Sequence, residues 1–173
     1  MPTIRFTTIV EAPVQRCFLL ALSARLHGLP LELKVGPAAT TTTSGILRAG
    51  QKLVWSDRRA RHSLAYTTLI DAWRPYTYFH EVLMVGPFTD LQHEHHFAPM
   101  DTGTRIRDEL HFTAPPSLLS RFVERRLLRY LRILLEERSA RIKQAAESEA
   151  WHGYLDGEPD LIPPSTVPRR RAF

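Results

Sequence analysis

Alternation of apolar and polar residues over residues 3–11 predicts a β-strand with one buried face. The positions expected to face inward are Ile4, Phe6, Thr8 and Val10. Pro13 then opens a helix, because its fixed φ suits the first helical turn, and apolar residues recur at helical spacing as far as Leu22. Residues 23–45 have no clear period. The threonine run at 40–43 within them fits either an edge strand or a loop.

Five further segments have the composition and alternation of strands. They cover residues 51–58, 62–73, 76–85, 88–99 and 103–114. The connectors between them are short, Arg74-Pro75 and Gly86-Pro87 among them. Short turns join consecutive strands side by side, so the pattern predicts an antiparallel meander.

The period changes to that of a helix over residues 117–147, which contain neither glycine nor proline. The predicted apolar stripe comprises Leu118, Phe122, Leu127, Tyr130, Leu131, Leu134 and Ile142. A helix of this length spans roughly 45 Å and can cover a whole sheet. The residues after this helix are rich in proline and arginine, so we predict one domain over residues 1–147 and a C-terminal tail over residues 148–173.

Composition narrows the class of protein. The 173 residues suffice for one domain, and 43% hydrophobic with 24% charged residues is typical of a globular chain. A single cysteine, Cys17, excludes an intramolecular disulfide framework and a cysteine-rich zinc site. The N-terminus lacks the pattern of a secretory signal, and no apolar run approaches the ~20 residues of a membrane span. We therefore expect a cytoplasmic protein.

The net charge of +5 arises mostly from arginine, which supplies 20 of the 23 basic residues. Seven of these lie between Arg121 and Arg141. Arginine binds phosphate groups well, so one hypothesis is a protein that contacts a membrane or nucleic acid through its last helix. We expect no nucleic-acid partner and at most weak contact with an anionic surface.

Several short motifs occur in a characteristic order. They are Glu11-Ala12-Pro13 with Phe18, Gly50 with Trp55, Ile70 and Trp73 before Phe79, Gly86-Pro87-Phe88 before His93-x-His95-x-Phe97, Gly103-Thr104 before Asp108 and Phe112, and Pro115-Pro116. In order and spacing, residues 3–145 resemble the START/Bet v 1-like superfamily, also called SRPBCC or helix-grip. In particular, the chain resembles the bacterial ligand-binding SRPBCC proteins, a polyketide cyclase-like branch.

The resemblance implies an α+β helix-grip fold. In it, a curved seven-stranded antiparallel sheet wraps around the long C-terminal helix, with short helices after the first strand. It also implies a cavity between sheet and helix that takes a hydrophobic or amphipathic small molecule, such as a lipid. We expect a monomer or homodimer without a cofactor.

Polar residues interrupt the predicted inward faces of two neighbouring strands. His93 and His95 share a face with Phe97, and Asp108 shares a face with Ile106 of the hairpin partner. Three interpretations compete: a buried Asp–His pair that satisfies itself, the polar end of a ligand cavity, and a metal site of both histidines and a carboxylate. Because the His-x-His motif is short, we predict no metal site.

The leading hypothesis is a binding protein, with no residue assigned to catalysis. Glu81 is a second acid that alternation places inward. The predicted ligand-binding residues are Trp55, Leu69, Glu81, His93, His95, Phe97, Ile106, Asp108, Leu110, Phe122 and Tyr130. The alternative is a cyclase or dehydratase acting on a polyketide-like substrate, with Asp108 or Glu81 and a histidine as acid and base.

Overall fold

Eight strands and three helices make up the described part of the chain, which covers residues 2–26, 32–35, 40–42, 45–57, 64–114 and 121–155 of a computed structural model. The strands are β1 (Thr3–Val10), β2 (Glu32–Val35), β3 (Thr40–Thr42), β4 (Lys52–Asp57), β5 (Leu64–Arg74), β6 (Tyr78–Val85), β7 (Asp90–Met100) and β8 (Gly103–Thr113). The helices are α1 (Val14–Ala21), α2 (Arg121–Ala146) and α3 (Trp151–Leu155).

The strands form one sheet in the order β1-β8-β7-β6-β5-β4-β2-β3, and every neighbouring pair is antiparallel. Six strands have six residues or more, whereas β2 has four and β3 has three. The sheet is antiparallel as expected, but the number of strands differs from the predicted seven. The two short strands lie in residues 23–45, where no alternation is long enough to predict them. Thr40–Thr42 of the threonine run form the edge strand β3.

Burial along the long strands matches the predicted alternation. On β8, Thr104, Ile106, Asp108, Leu110 and Phe112 are buried, and the residues between them are half-buried or exposed. The predicted inward residues of β1 are buried or half-buried, whereas Arg5, Thr7 and Ile9 between them are exposed. One face of the sheet therefore forms the core, and α2 packs against it through Leu131 and Leu135.

The helices α1 and α3 close one end of this core. Leu155 of α3 is buried in the same cluster as Phe18 of α1. The Ser23 hydroxyl donates to the Tyr154 carbonyl at 3.1 Å, and Arg25 donates to the Gly153 carbonyl at 2.8 Å. These contacts favour a domain that extends to residue 155 rather than 147. None of the described helices combines the length and apolarity needed to cross a bilayer.

Candidate functional site

Two apolar clusters lie on the inward face of the sheet. The Phe18 cluster includes Phe18, Ile70, Phe79, Phe97, Ile106 and Ile142. The Phe112 cluster includes Leu91, Leu110, Phe112, Leu131 and Leu135. Following any of β7, β8 or α2 from one cluster to the other leads through polar side chains.

These polar side chains form a layer that crosses five elements. The polar layer comprises Thr68 of β5, Glu81 of β6, His93 and His95 of β7, Asp108 of β8 and Arg138 of α2. All six are buried, and the most exposed of them, Arg138, is only 7% exposed. Ionisable groups are almost never this buried unless they are paired, so the contacts within the layer decide what it can do.

Strand pairing brings the acidic and imidazole groups together. His95 lies opposite Asp108 on β8, and His93 lies opposite Glu81 on β6. Residues directly opposite each other share a face of the sheet. The alternation of each strand therefore directs both acids and both histidines into the same part of the core.

His95 lies between two carboxylates. Its Nδ1 is 2.7 Å from Asp108 Oδ1, and its Nε2 is 3.4 Å from Glu81 Oε1. His93 Nε2 is 3.3 Å from the same Asp108 oxygen. The ring of His95 stacks on Phe79, with the centroids 4.1 Å apart. The apolar Phe18 cluster therefore holds one face of the imidazole in place.

The two carboxylate oxygens of Glu81 connect β5 to α2. Its Oε2 accepts a hydrogen bond from the Thr68 hydroxyl at 2.9 Å, and that hydroxyl accepts one from Trp55 Nε1 at 2.9 Å. Arg138 Nη1 and Nη2 lie 3.3 Å and 3.4 Å from Glu81 Oε1. Nη2 also donates to the Ala21 carbonyl at 3.2 Å, so one guanidinium links α2, β6 and the end of α1.

Among the acids and histidines of the layer, three polar atoms lack a hydrogen-bond partner within the described residues. They are His93 Nε2, His95 Nε2 and Asp108 Oδ2. Both Nε2 atoms lie near a carboxylate oxygen, but without hydrogen-bond geometry. Since most buried polar atoms in proteins have a protein or water partner, these atoms mark a place where a bound group can supply one.

The surroundings determine the charges of the layer. Burial, and then the neighbouring His95, lowers the pKa of His93 to about 4, so this imidazole is neutral at neutral pH. Burial alone would raise the pKa of Glu81, but Arg138 and His95 hold it well below its ordinary value. Burial alone would likewise raise the pKa of Asp108, but His93 and His95 lower it by more, so that it lies below its ordinary value. Both acids are therefore carboxylates at neutral pH.

The structure brings most of the predicted site residues to the inward face. Glu81, His93, His95 and Asp108 meet in the polar layer, Phe97 and Ile106 lie in the Phe18 cluster, and Leu110 lies in the Phe112 cluster. Trp55 and Tyr130 are half-buried. The side chain of Phe122 lies outside the described residues.

Leu69 differs from the others. It lies opposite Val82, whereas its neighbour Ile70 lies opposite the buried Glu81. Leu69 is therefore on the other face of the sheet from the polar layer, because successive residues of a strand point to opposite faces.

Sequence reasoning missed Thr68 and Arg138. The apolar stripe predicted for the last helix contains no arginine, but Arg138 is buried. A signal for it exists in the sequence. Arg138 falls between Leu135 and Ile142 at the i+3 and i+4 spacings of one helix face. A charged residue at a stripe position indicates a buried partner.

No protein-family model and no curated protein sequence matches the chain. Solved structures do match. The alignment with TTHA0849 from Thermus thermophilus covers 85% of this chain and 100% of that one, at 19% identity and a TM-score of 0.62. The di-domain ARO/CYC StfQ from the steffimycin biosynthetic pathway matches at 13% identity and a TM-score of 0.64, over 86% of this chain and 51% of StfQ.

Ara h 8.0201 matches at 12% identity and a TM-score of 0.57, over 82% of this chain and 97% of that one. The chain has the Bet v 1-like fold. In this Bet v 1-like chain, the polar layer lies on the face of the sheet that the long C-terminal helix covers. At these identities the likeness extends to the fold alone.

Proposed function

We propose that the protein binds a small hydrophobic or amphipathic molecule between the sheet and α2. The observation that carries this proposal is the set of unpartnered polar atoms, on His93, His95 and Asp108, between two apolar clusters. Ligand sites typically combine apolar walls with a few convergent polar groups that fix orientation. The polar layer has that composition.

The parts of the proposed site have distinct roles. Phe97, Ile106 and Leu110 contribute apolar surface on either side of the layer, and Trp55 and Tyr130 contribute aromatic surface. The imidazole and carboxylate groups bind the polar end of the guest. A guest with a hydroxyl or carbonyl group fits best, because the layer contains both hydrogen-bond donors and acceptors.

Native mass spectrometry of the freshly purified, untagged chain tests this proposal. We expect an organic molecule to co-purify in stoichiometric amount. After this molecule has been extracted, the protein should bind the hydrophobic dye 1-anilinonaphthalene-8-sulfonate, and adding the molecule back should displace the dye. Asp108→Asn should weaken this binding, whereas Glu94→Gln, on the outward face of β7, should leave it unchanged. Folded protein that retains no organic molecule and excludes the dye would contradict the proposal.

An enzyme of the cyclase or dehydratase type is the second candidate function. The observation that favours it is His95 between two carboxylates, an arrangement that can move a proton to or from a bound carbonyl compound. The fold likeness to StfQ, an ARO/CYC, agrees with it. Incubation with a β-polyketone thioester, followed by mass spectrometry, should then reveal loss of water. Asp108→Asn should abolish that turnover and Glu94→Gln should not.

A further inference from the structure

Three buried side chains present potential metal ligands to one point in the core. Glu81, His93 and His95 each offer one ligand atom, and these atoms lie within 4.8 Å of one another. Imidazole nitrogen and carboxylate oxygen are ligands of Zn²⁺ and of the neighbouring divalent transition metals. Ca²⁺ and Mg²⁺ prefer sites made of oxygen alone.

On each of the two histidines, Nε2 is without a hydrogen bond in the described part of the chain. His93 Nε2 lies 3.3 Å from Asp108 Oδ1, and His95 Nε2 lies 3.4 Å from Glu81 Oε1, but neither contact has hydrogen-bond geometry. A metal ion bound by both nitrogens would give each of them a partner. It would also separate the His95 lone pair from the carboxylate oxygen that it faces.

Asp108 is placed as an outer partner of such a site. Its Oδ1 is 2.7 Å from His95 Nδ1, the ring nitrogen that does not face Glu81. Metal-binding histidines commonly donate their second N–H to a carboxylate, which orients the ring and directs the lone pair of the other nitrogen to the metal. This contact therefore prepares His95 Nε2 as a ligand.

The charges of the layer agree with a bound cation. Glu81 and Asp108 contribute two negative charges, and Arg138 contributes one positive charge. With both imidazoles neutral, as metal binding requires, the described members of the layer sum to one negative charge, which attracts a cation. A divalent ion would change that sum to one positive charge, so charge balance alone does not require it. Arg138 does not exclude a metal ion, since a carboxylate has about four lone-pair positions and can bind both.

We propose that Glu81, His93 and His95 bind one divalent transition-metal ion, with Asp108 as a positioning residue for His95. This site goes beyond the proposed ligand binding. It uses the same His93 and His95 atoms, but the metal titration tests it without any organic guest. From the sequence we predict no metal site, because the His-x-His motif is short. The contact of β6 with β7 supplies Glu81.

Metal titration of the untagged chain after chelator treatment and dialysis tests the site. Co²⁺ should bind with one equivalent per chain and give visible absorption bands of a site with nitrogen ligands. Zn²⁺ should displace it, whereas Mg²⁺ should not. Affinity for Zn²⁺, measured by competition with a chromophoric chelator, should fall by at least about 10-fold in His93→Gln, His95→Gln and Glu81→Gln.

Matched controls are His80→Gln and His96→Gln, which change histidines paired with acids on the other face of the sheet. They should leave affinity and spectrum unchanged. Asp108→Asn should weaken Zn²⁺ binding about 10- to 100-fold while the Co²⁺ bands persist, as expected for an outer partner. Circular dichroism tests whether each variant is folded. Where a Gln variant does not fold, the corresponding Ala variant is used instead.

Absence of stoichiometric Co²⁺ or Zn²⁺ binding to the folded chain would overturn the proposal. So would binding that is lost in His80→Gln or His96→Gln but retained in His93→Gln and His95→Gln. These results concern metal alone. If native mass spectrometry finds no organic guest and the protein excludes the dye, the proposed function is contradicted, but the result of the metal titration is unaffected.

Discussion

The guanidinium of Arg138 on α2 lies 3.3 Å from the carboxylate of Glu81 on β6, so a buried ion pair connects the long helix to the centre of the sheet. Removing one partner leaves the other charge buried and unpaired. We therefore expect Arg138→Ala to lower the free energy of unfolding by about 3–5 kcal/mol, measured by urea denaturation.

The control for this substitution is Arg132→Ala on the same helix. The side chain of Arg132 is 55% exposed, and its Nη1 lies 4.0 Å from Glu136 Oε1. Such an exposed pair contributes about 1 kcal/mol or less. Equal losses in the two variants would mean that the buried pair has no special role.

The apolar face of α2 provides a second test. Leu131 is fully buried in the Phe112 cluster, whereas Ile133, two residues on, is 47% exposed. Leu131→Asp places a carboxylate without a partner in the core and should remove several kcal/mol of stability, enough to unfold a domain of ordinary stability. Ile133→Asp should retain a melting temperature close to that of the parent chain. A folded Leu131→Asp variant would contradict the packing of α2.

Truncation tests where the domain ends. From composition alone, residues 148–173 are expected to be removable. The contacts of Tyr154 and Leu155 with α1 and its following turn change that expectation. A chain ending at residue 147 should melt at a lower temperature than one ending at residue 155, and the latter should match the full chain. Equal melting temperatures for all three would place the boundary at 147.

Cys17 gives a dependence on pH. Burial raises the pKa of its thiol to about 11, compared with a usual value of about 8.5. At about pH 8 the folded protein should therefore react slowly with iodoacetamide, and urea should accelerate the reaction sharply.

The same shift determines the sign of the effect on stability. Between the unfolded and folded pKa values the unfolded chain loses the thiol proton and the folded chain retains it. The contribution of Cys17 to stability is thus fully present below about pH 8.5 and declines as the pH rises toward 11. Cys17→Ala should lack this decline. Rapid alkylation of the native chain at about pH 8 would show that the thiol is accessible.

Periodicity predicted the long elements well, because in each of them apolar residues recur at the period of the helix or strand over many residues. The alternation over β7 and β8 identified which residues share a face, and His93, His95 and Asp108 were found together for that reason. Period alone does not say which face is buried when both are apolar. That is why Leu69 was assigned to the wrong side of β5 relative to Ile70.

Contacts that depend on tertiary structure were beyond the sequence pattern. Arg138 is 57 residues from Glu81 along the chain, and the sequence around either residue does not indicate which residue it pairs with. The short strand β2 pairs with β4 and with β3, over three residues each. Segments of that length form strands because a neighbouring edge is available, rather than from their own propensity.

The polar layer has a consequence for how the strands align. A slip of two residues between β7 and β8 would keep every apolar side chain on the inward face, so hydrophobic alternation does not distinguish the two alignments. Such a slip would place Asp108 opposite Phe97 or His93 instead of His95 and would break the contact between Asp108 and His95. Burying a carboxylate without its partner is costly. The pairing of Asp108 with His95 therefore disfavours the slip that places Asp108 opposite Phe97, which the apolar pattern alone would allow.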